Sequence, residues 1–203
     1  MAAKILMNKN TLAALKIELS EFRDALPVFE MKEQQLKGIV QAIESGIKVL
    51  TQDIAKTNEE IKSWVAVMAE DGVDVDPLAM VEQVITEEQE IVGVTVENFV
   101  EIRFKKADLN FFTSPLWAAD AVEAICAQKT NHTILVLEQE KIARLRKELA
   151  EARRMKNALQ EVFIPETTAL IRKIEIYLGD VERLSIGCAK LVKKKKQEKT
   201  ATT

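Results

Sequence analysis

The side chains that could carry chemistry are few in this chain of 203 residues, and they are widely separated. The single histidine, His132, has no cysteine or carboxylate at metal-ligand spacing, and Cys126 falls on a different part of the same predicted helix. Adjacent carboxylates such as Glu59 and Glu60 are typical of a solvated helix surface. Neither glycine-rich phosphate-binding pattern, G-x-x-x-x-G-K-[ST] or G-x-G-x-x-G, occurs. The sequence therefore predicts a chain that is not an enzyme and that holds no cofactor and no metal.

The charged residues are unevenly distributed. No lysine or arginine lies between Ser63 and Ile102, a stretch with ten carboxylates, whereas six lysines lie between Lys190 and Lys199. The lysine-rich end has no interleaved aromatic residues, and the pI of about 5.5 opposes broad attraction to phosphates, so we expect no nucleic-acid binding. The prediction is a molecule with one acidic end and one basic end.

The sequence predicts neither membrane insertion nor secretion. No apolar run approaches the roughly 18 to 20 residues that a membrane helix needs, and the start, MAAKILMNKN, lacks the apolar core of a signal peptide. We therefore expect a cytoplasmic chain. In that compartment Cys126 and Cys188 are predicted to be reduced and buried in helices.

A regular apolar repeat predicts a long N-terminal helix over residues 10–70. Such a repeat stays on one side of a helix only if the helix winds around a partner. Asn10 or Thr11 is predicted to cap the helix start, Gly72 to follow its end, and Pro27 to kink it. The repeat has steps of three and four, with Glu33 and Thr57 as its polar members: Leu12, Leu15, Leu19, Phe22, Leu26, Phe29, Glu33, Leu36, Val40, Ile43, Ile47, Leu50, Ile54, Thr57, Ile61, Trp64 and Met68.

The repeat is absent from a distal segment, residues 71–115. Pro77 is predicted to open a short helix carrying Leu78, Val81 and Val84 or Ile85. Alternating valine, isoleucine and phenylalanine residues then predict a β-hairpin over 91–104 that turns near residues 97–99. Two strands are marginally stable alone, so this hairpin must pack on something.

A second long helix is predicted over residues 116–192, opened by Ser114-Pro115, and residues 193–203 are predicted to form a disordered basic tail. If the second helix returns antiparallel beside the first, residues that face each other should have numbers that add up to about 187. Pro165 then lies opposite residue 22, where we predict a bent or loosened segment, and residues beyond about 185 project as a single helix. The predicted stripe is Ala121, Ile125, Leu135, Ile142, Leu145, Leu149, Ala152, Met155, Leu159 and Val162, then Leu170, Ile174, Tyr177, Val181, Leu184, Cys188 and Leu191.

The predicted fold is thus mainly α: one elongated unit, residues 1–203, formed by a long antiparallel two-helix coiled coil with a small distal segment containing a β-hairpin. Two rival functions suit such a fold. A prefoldin-like chaperone also joins two antiparallel helices through β-hairpins, and a generic coiled-coil adaptor is compatible with the composition.

A specific string lies within the second helix. Residues 153–165 read R-R-M-K-N-A-L-Q-E-V-F-I-P and are followed by Ile171, Ile174, Leu178 and Glu182-Arg183. This string resembles the D subunits of the V-type (V/A-type) ATPases, and weaker similarity extends over most of the chain. The sequence departs from the usual basic stretch of that family at Glu30 to Gln34 and from its usual R-L-K near Cys188, which suggests a divergent bacterial branch.

The resemblance implies a central rotor axle that transmits torque between the catalytic hexamer and proton or sodium transport through the membrane ring. Its implied partners are the catalytic and regulatory subunits of the hexamer, the F subunit on the side of the shaft, and a funnel-shaped subunit on the ring. The chain would then be peripheral to the membrane. The implied hexamer-side residues are Arg153, Arg154, Asn157, Pro165, Leu184, Cys188 and Leu191, and the foot-side residues are Glu87, Glu88, Glu90, Phe99 and Glu101.

Overall fold

A computed structural model of the chain describes residues 6–68, 79–105, 115 and 117–201. In chain order the elements are helix α1 (Lys9–Met68), strand β1 (Val81–Ile91), strand β2 (Val94–Phe104), helix α2 (Ala118–Ala158), a π turn (Leu159–Phe163) and helix α3 (Ile164–Ala201). The fold is mainly helical with one antiparallel hairpin, as predicted. Among the described residues, no helix is both long and apolar enough to cross a membrane.

Helix α1 follows its predicted repeat closely. Every repeat position from Leu12 to Ile61 is buried or half-buried, including the polar Glu33 and Thr57. The cap differs from the prediction, because the Thr11 backbone N–H and hydroxyl donate to Asn8 Oδ1 at 2.7 and 2.9 Å, so Asn8 takes the capping role. Pro27 lies inside the helix, which continues on both sides. The predicted cap at Gly72 and the start of the second helix at Ser114 lie outside the described residues.

The contacts of the chain group into two compact units, one of residues 1–31 with 152–203 and one of residues 32–151. In the second unit α1 and α2 pack antiparallel, and polar side chains of the two helices contact each other at several positions along their length. Lys32 Nζ lies 2.5 Å from Glu148 Oε1, Arg146 Nη2 lies 2.6 Å from Glu44 Oε1, and Gln128 Nε2 donates to Asn58 Oδ1 at 2.6 Å. The residue numbers of these pairs add up to 180, 190 and 186; the last two are close to the predicted 187, and the first is seven lower.

The hairpin is present, but its predicted bounds are wrong. The first strand runs from Val81 to Ile91, where a short helix was predicted, and the turn lies at Val92–Gly93 instead of 97–99. Both turn residues have positive φ, 52° and 79°, as a two-residue type I′ turn requires. Pairing with β2 over eleven residues outweighed the helical spacing of the apolar residues in β1, which is mostly exposed.

The hairpin packs along the side of the helix pair. Val96 is fully buried in a cluster with Leu36 and Val40 of α1 and Ile142 and Leu145 of α2. Partly buried apolar residues of both helices and of the turn surround this cluster: Ile39, Ile43, Ile47, Ile91, Val92, Val94 and Leu149. The hairpin thus obtains its stability from a third layer on the helices, as its small size requires.

In the first unit α1 packs antiparallel on the end of α2, the π turn and α3. Lys16 Nζ lies 2.6 Å from Glu175 Oε1, and the rings of Phe22 and Phe163 tilt against each other with centroids 5.4 Å apart. The residue numbers of these pairs add up to 191 and 185. The helix is irregular just before Pro165, where a π turn lies and the Ile164 N–H donates to the Leu159 carbonyl. The predicted bending or loosening of this segment remains a prediction.

Several predicted details of the second helix need correction. Met155, Val162 and Tyr177 are 44%, 43% and 46% exposed, although they were predicted to lie in the apolar stripe. Cys188 is exposed instead of buried. The lysine-rich residues up to 201 continue α3 and do not form a disordered tail, since six lysines without glycine or proline are compatible with a helix.

Candidate partner-binding surfaces

The end of α3 presents an apolar stripe to solvent. Every described side chain from 180 to 197 is exposed, which agrees with the predicted single projecting helix. Leu184 and Leu191 are 69% and 62% exposed, and Cys188 lies between them at helical spacing. Gly187 has no side chain, so a shallow groove forms along this face, edged by Asp180 and Arg183, which pair at 3.1 Å.

This stripe, formed by Leu184, Gly187, Cys188 and Leu191, is called the α3 stripe below. An amphipathic helix with apolar residues three and four apart is suited to lie in an apolar groove of another protein. The lysines at 193–196 follow it directly, so the apolar contact surface adjoins a strongly basic turn.

The other predicted hexamer-side residues lie elsewhere, around the π turn. Arg153, Arg154 and Asn157 are exposed on the last turns of α2, and Pro165 is exposed at the second residue of α3. Pro165 and Leu184 are nineteen residues apart on α3. This separation corresponds to about 29 Å along the helix axis. The structure therefore divides the predicted hexamer-side residues into two groups.

The predicted foot-side residues lie together on the hairpin. Glu87, Glu88 and Glu90 are exposed on β1, and Glu101 is exposed on β2 with Arg103 Nη2 3.6 Å from its Oε2. Phe99 is half-buried opposite Thr86. This acidic hairpin packs on α1 and α2 through a cluster that includes Leu36 and Leu145.

Like charges face each other across the hairpin. Glu88 pairs directly with Glu97, and Glu90 pairs with Thr95 on the same face. Directly opposed carboxylates repel, and this repulsion opposes strand pairing. Arg144 of α2 lies 3.4 Å from Glu97 Oε1, so a cation offsets part of the repulsion.

Three contacts that hold the hairpin on α2 were not found from the sequence. Lys129 Nζ donates to the Ala79 carbonyl at 3.0 Å, Arg144 contacts Glu97, and Val96 enters the apolar cluster. The alternation of Val92, Val94 and Val96 was a usable signal for a buried strand face. No local signal identified the basic partners, because they are distant in sequence.

The described residues contain no cluster of His, Cys, Asp or Glu that could hold a metal ion. Cys126 is half-buried, and burial raises the pKa of its thiol, which the nearby Lys129 ammonium partly counteracts. A thiol with a raised pKa is a poor nucleophile at neutral pH. The geometry around this thiol therefore does not favour a reactive cysteine.

The described elements define a class of protein: long helices pack antiparallel within each unit, a hairpin packs on the helices of one unit, and the other unit contains a projecting terminal helix. The family model of the ATP synthase D subunit matches residues 11–194. The V-type ATP synthase D subunit of Borreliella burgdorferi is 27% identical over 191 residues, with 94% of each chain covered. That of Chlamydia abortus is 26% identical over 203 residues, covering 98% of this chain and 97% of the relative.

The match spans most of the two long helices, and it includes the hairpin and the whole α3 stripe. The chain belongs to the family of ATP synthase D subunits. The resemblance inferred from the string at 153–165 is thus confirmed, and the relatives are bacterial, as that inference suggested.

Proposed function

We propose that this chain is the central-stalk rotor subunit of a V-type rotary ATPase and that it transmits torque without binding nucleotide. Its partners are then the catalytic and regulatory subunits of the hexamer, the F subunit and a funnel-shaped subunit on the membrane ring. The chain works in the cytoplasm at the membrane face, and the complex couples ATP hydrolysis or synthesis to proton or sodium transport.

The observation that carries this proposal is the α3 stripe. Leu184 and Leu191 are large apolar side chains held exposed on a helix that extends past its partner helix. Large exposed apolar groups in a row are typical of a protein-binding surface. Family membership supports the hexamer as the protein that receives this helix.

A rotor must also resist twisting. Two helices that pack along a shared line of apolar residues are stiffer in torsion than one helix. The ion pairs Lys32–Glu148 and Arg146–Glu44, which join α1 to α2, are compatible with such a role. Arg153, Arg154, Asn157 and Pro165 are proposed as a second contact with the hexamer, on the side of the shaft.

The acidic hairpin is proposed as a separate docking surface, formed by Glu87, Glu88, Glu90, Phe99 and Glu101. Its exposed carboxylates suit a basic partner, and its position beside α1 and α2 favours a partner that approaches from the side, the direction expected for the F subunit. The funnel-shaped subunit remains the alternative partner. Binding by exposed charges should weaken as salt rises.

The decisive experiment is co-purification of the tagged chain from its own cells, with Leu184→Gln/Leu191→Gln as the test variant. We expect the unchanged chain to recover a nucleotide-binding hexamer and the variant to recover much less, because two apolar anchors are lost while the helix is retained. Lys193→Gln/Lys194→Gln is the matched control, with two exposed changes on the next turn.

Two results would contradict the proposal. One is equal recovery of the hexamer with the stripe variant and the control. The other is a chain that assembles only with itself and suppresses the aggregation of unfolded clients, which would indicate the chaperone. For the hairpin, Glu87→Gln/Glu88→Gln/Glu90→Gln should reduce the recovery of its side-binding partner at low salt and make little difference at high salt.

A further inference from the structure

The seam positions around the π turn contain one residue more than a heptad repeat allows. One line of buried and half-buried positions advances in steps of four and three until Leu159, then in one step of five to Ile164, and then again in steps of three and four. Ala158, Leu170 and Gly179 beside this line are also half-buried, and Phe163, which is 40% exposed, also contacts Phe22 of α1. The step of five coincides with the π turn. The positions in this line are Ala152, Lys156, Leu159, Ile164, Thr167, Ile171, Ile174 and Leu178.

The opposing stretch of α1 has no such extra residue. Its seam positions, which are Leu12, Leu15, Leu19, Phe22, Leu26 and Phe29, advance only in steps of three and four. An extra residue in a regular α-helix would turn everything after it by about 100°, the angle of one residue. The π turn absorbs that residue, because its hydrogen bond from the Ile164 N–H to the Leu159 carbonyl spans five residues and brings Ile164 over Leu159.

Pro165 is the competing explanation for the π turn. A proline inside a helix has no N–H to donate, and its ring crowds the carbonyl four residues earlier. However, Pro27 lies inside α1, and α1 is helical from Lys9 to Met68 without a π turn. A proline in this coil therefore does not by itself require one.

We propose that the π turn keeps the buried residues on its two sides facing α1. The extra residue of the repeat requires this turn, and Pro165 does not. Beyond the turn, the residues kept facing α1 are Ile164, Thr167 and Ile171. Because α3 continues from Ile164 to Ala201, the same turn sets the direction in which the α3 stripe faces. The inference stands on the geometry of the isolated chain and does not depend on the proposed rotor function.

The test uses a cross-link across the seam beyond the turn. Lys16 and Glu175 face each other at 2.6 Å, so Lys16→Cys/Glu175→Cys in a chain with Cys126→Ala and Cys188→Ala should join through a short bismaleimide. Lys16→Cys/Lys173→Cys gives the background, since Lys173 is exposed on another side of α3. Pro165→Ala and deletion of Gln160, an exposed residue of the π turn, are then introduced separately.

The two explanations predict opposite results for both changes. If the repeat requires the turn, Pro165→Ala retains it, and deletion of Gln160 restores a regular helix with Leu159 and Ile164 four residues apart. Cross-linking of residues 16 and 175 is then retained in both. If Pro165 requires the turn, Pro165→Ala removes it and the deletion leaves it in place, so α3 turns by about 100° in each case and cross-linking falls to background.

Deletion of Ser20 is the matched control for the deletion of Gln160. It removes one exposed polar residue from the strict repeat of α1, which has no extra residue to give up, so cross-linking should be lost. Helical circular dichroism checks that each variant folds, and Pro165→Ala tests the proposal even if a deletion unfolds the chain. Loss of the cross-link in folded Pro165→Ala would overturn the proposal.

Discussion

The two units differ in how completely they bury the same apolar repeat of α1. Where the hairpin covers the helix pair, Leu36 and Val40 are buried, at 0% and 6% exposure. In the unit without a hairpin, Leu12 and Leu15 occupy equivalent positions in the repeat and are only half-buried. Two packed helices bury only one stripe of each helix and leave the edges of that stripe exposed. A third layer, here the hairpin, covers one of these edges.

The repeat therefore identifies the side of α1 that packs on the second helix, but it does not determine how deeply each side chain is buried. The hairpin contributes its own apolar side chain, Val96, to the cluster, in which Leu36 of α1 and Leu145 of α2 are fully buried. The unit of residues 32–151 should therefore depend strongly on the side chains buried under the hairpin. In the other unit the α1 positions of the repeat are mostly half-buried, and the fully buried side chain, Ile174, lies on α3.

The largest expected effect is that of Leu145→Ala, because Leu145 is fully buried under the hairpin. We expect a loss of about 3 kcal/mol, against about 1 kcal/mol for Leu12→Ala at a half-buried position. Thermal unfolding of the full chain measures both, and Leu191→Ala on the exposed α3 stripe is the control that should change little. Equal losses at Leu145 and Leu12 would contradict the comparison.

A smaller effect is expected for Val96→Ala, which removes two methyl groups from the contact between the hairpin and the helices. The predicted loss is about 2 kcal/mol, with faster hydrogen exchange of the strand amides, because the hairpin leaves the helices more often. Val100→Ala is the control in the same strand, since Val100 is 53% exposed. If both variants exchange alike, Val96 does not anchor the hairpin.

The seam of α1 was predictable from sequence because a heptad repeat over some fifty residues leaves few alternatives. The hairpin bounds were not predictable. Leu78, Val81 and Ile85 have helical spacing, and the turn at Val92–Gly93 places a β-branched residue at positive φ, which turn rules do not favour. Packing of Val92 against the cluster opposes that strain, and this packing is a tertiary contact.

The stripe of the second helix shows a different limit of sequence reasoning. Met155 and Val162 are apolar and correctly spaced, so they were assigned to the seam, yet they are exposed. Lys156 and Ile164 are half-buried instead. Val162 lies within the π turn, where the extra residue changes the phase of the repeat, whereas Met155 precedes the turn and its exposure has no such explanation. Only the opposing repeat in α1 reveals the extra residue. The exposed end of α3 was predictable, because residues beyond about 185 were expected to project. The exposure of β1 was not, because its strand bounds were not apparent from the sequence.

A still smaller effect on stability is expected for the aromatic contact between Phe22 and Phe163, in the unit without a hairpin. A double-mutant cycle of Phe22→Leu and Phe163→Leu should give a coupling energy of about 1 kcal/mol, since the tilted rings are 5.4 Å apart. Leucine retains most of the apolar area at both positions. A coupling near zero, measured by thermal unfolding, would show that this pair contributes only as general apolar surface.

The smallest expected effect concerns the opposed carboxylates of the acidic hairpin. Glu88→Lys places a cation directly opposite Glu97 and should stabilise the hairpin by about 0.5 kcal/mol, because it replaces a repulsion by an attraction. Glu90→Lys makes the same change of charge opposite the neutral Thr95 and should give less. Hydrogen exchange of the strand amides at low and high salt separates the two, since screening should reduce the advantage of Glu88→Lys. Equal stabilisation by the two variants would mean that the overall acidity of the hairpin, and not the Glu88–Glu97 pair, opposes its folding.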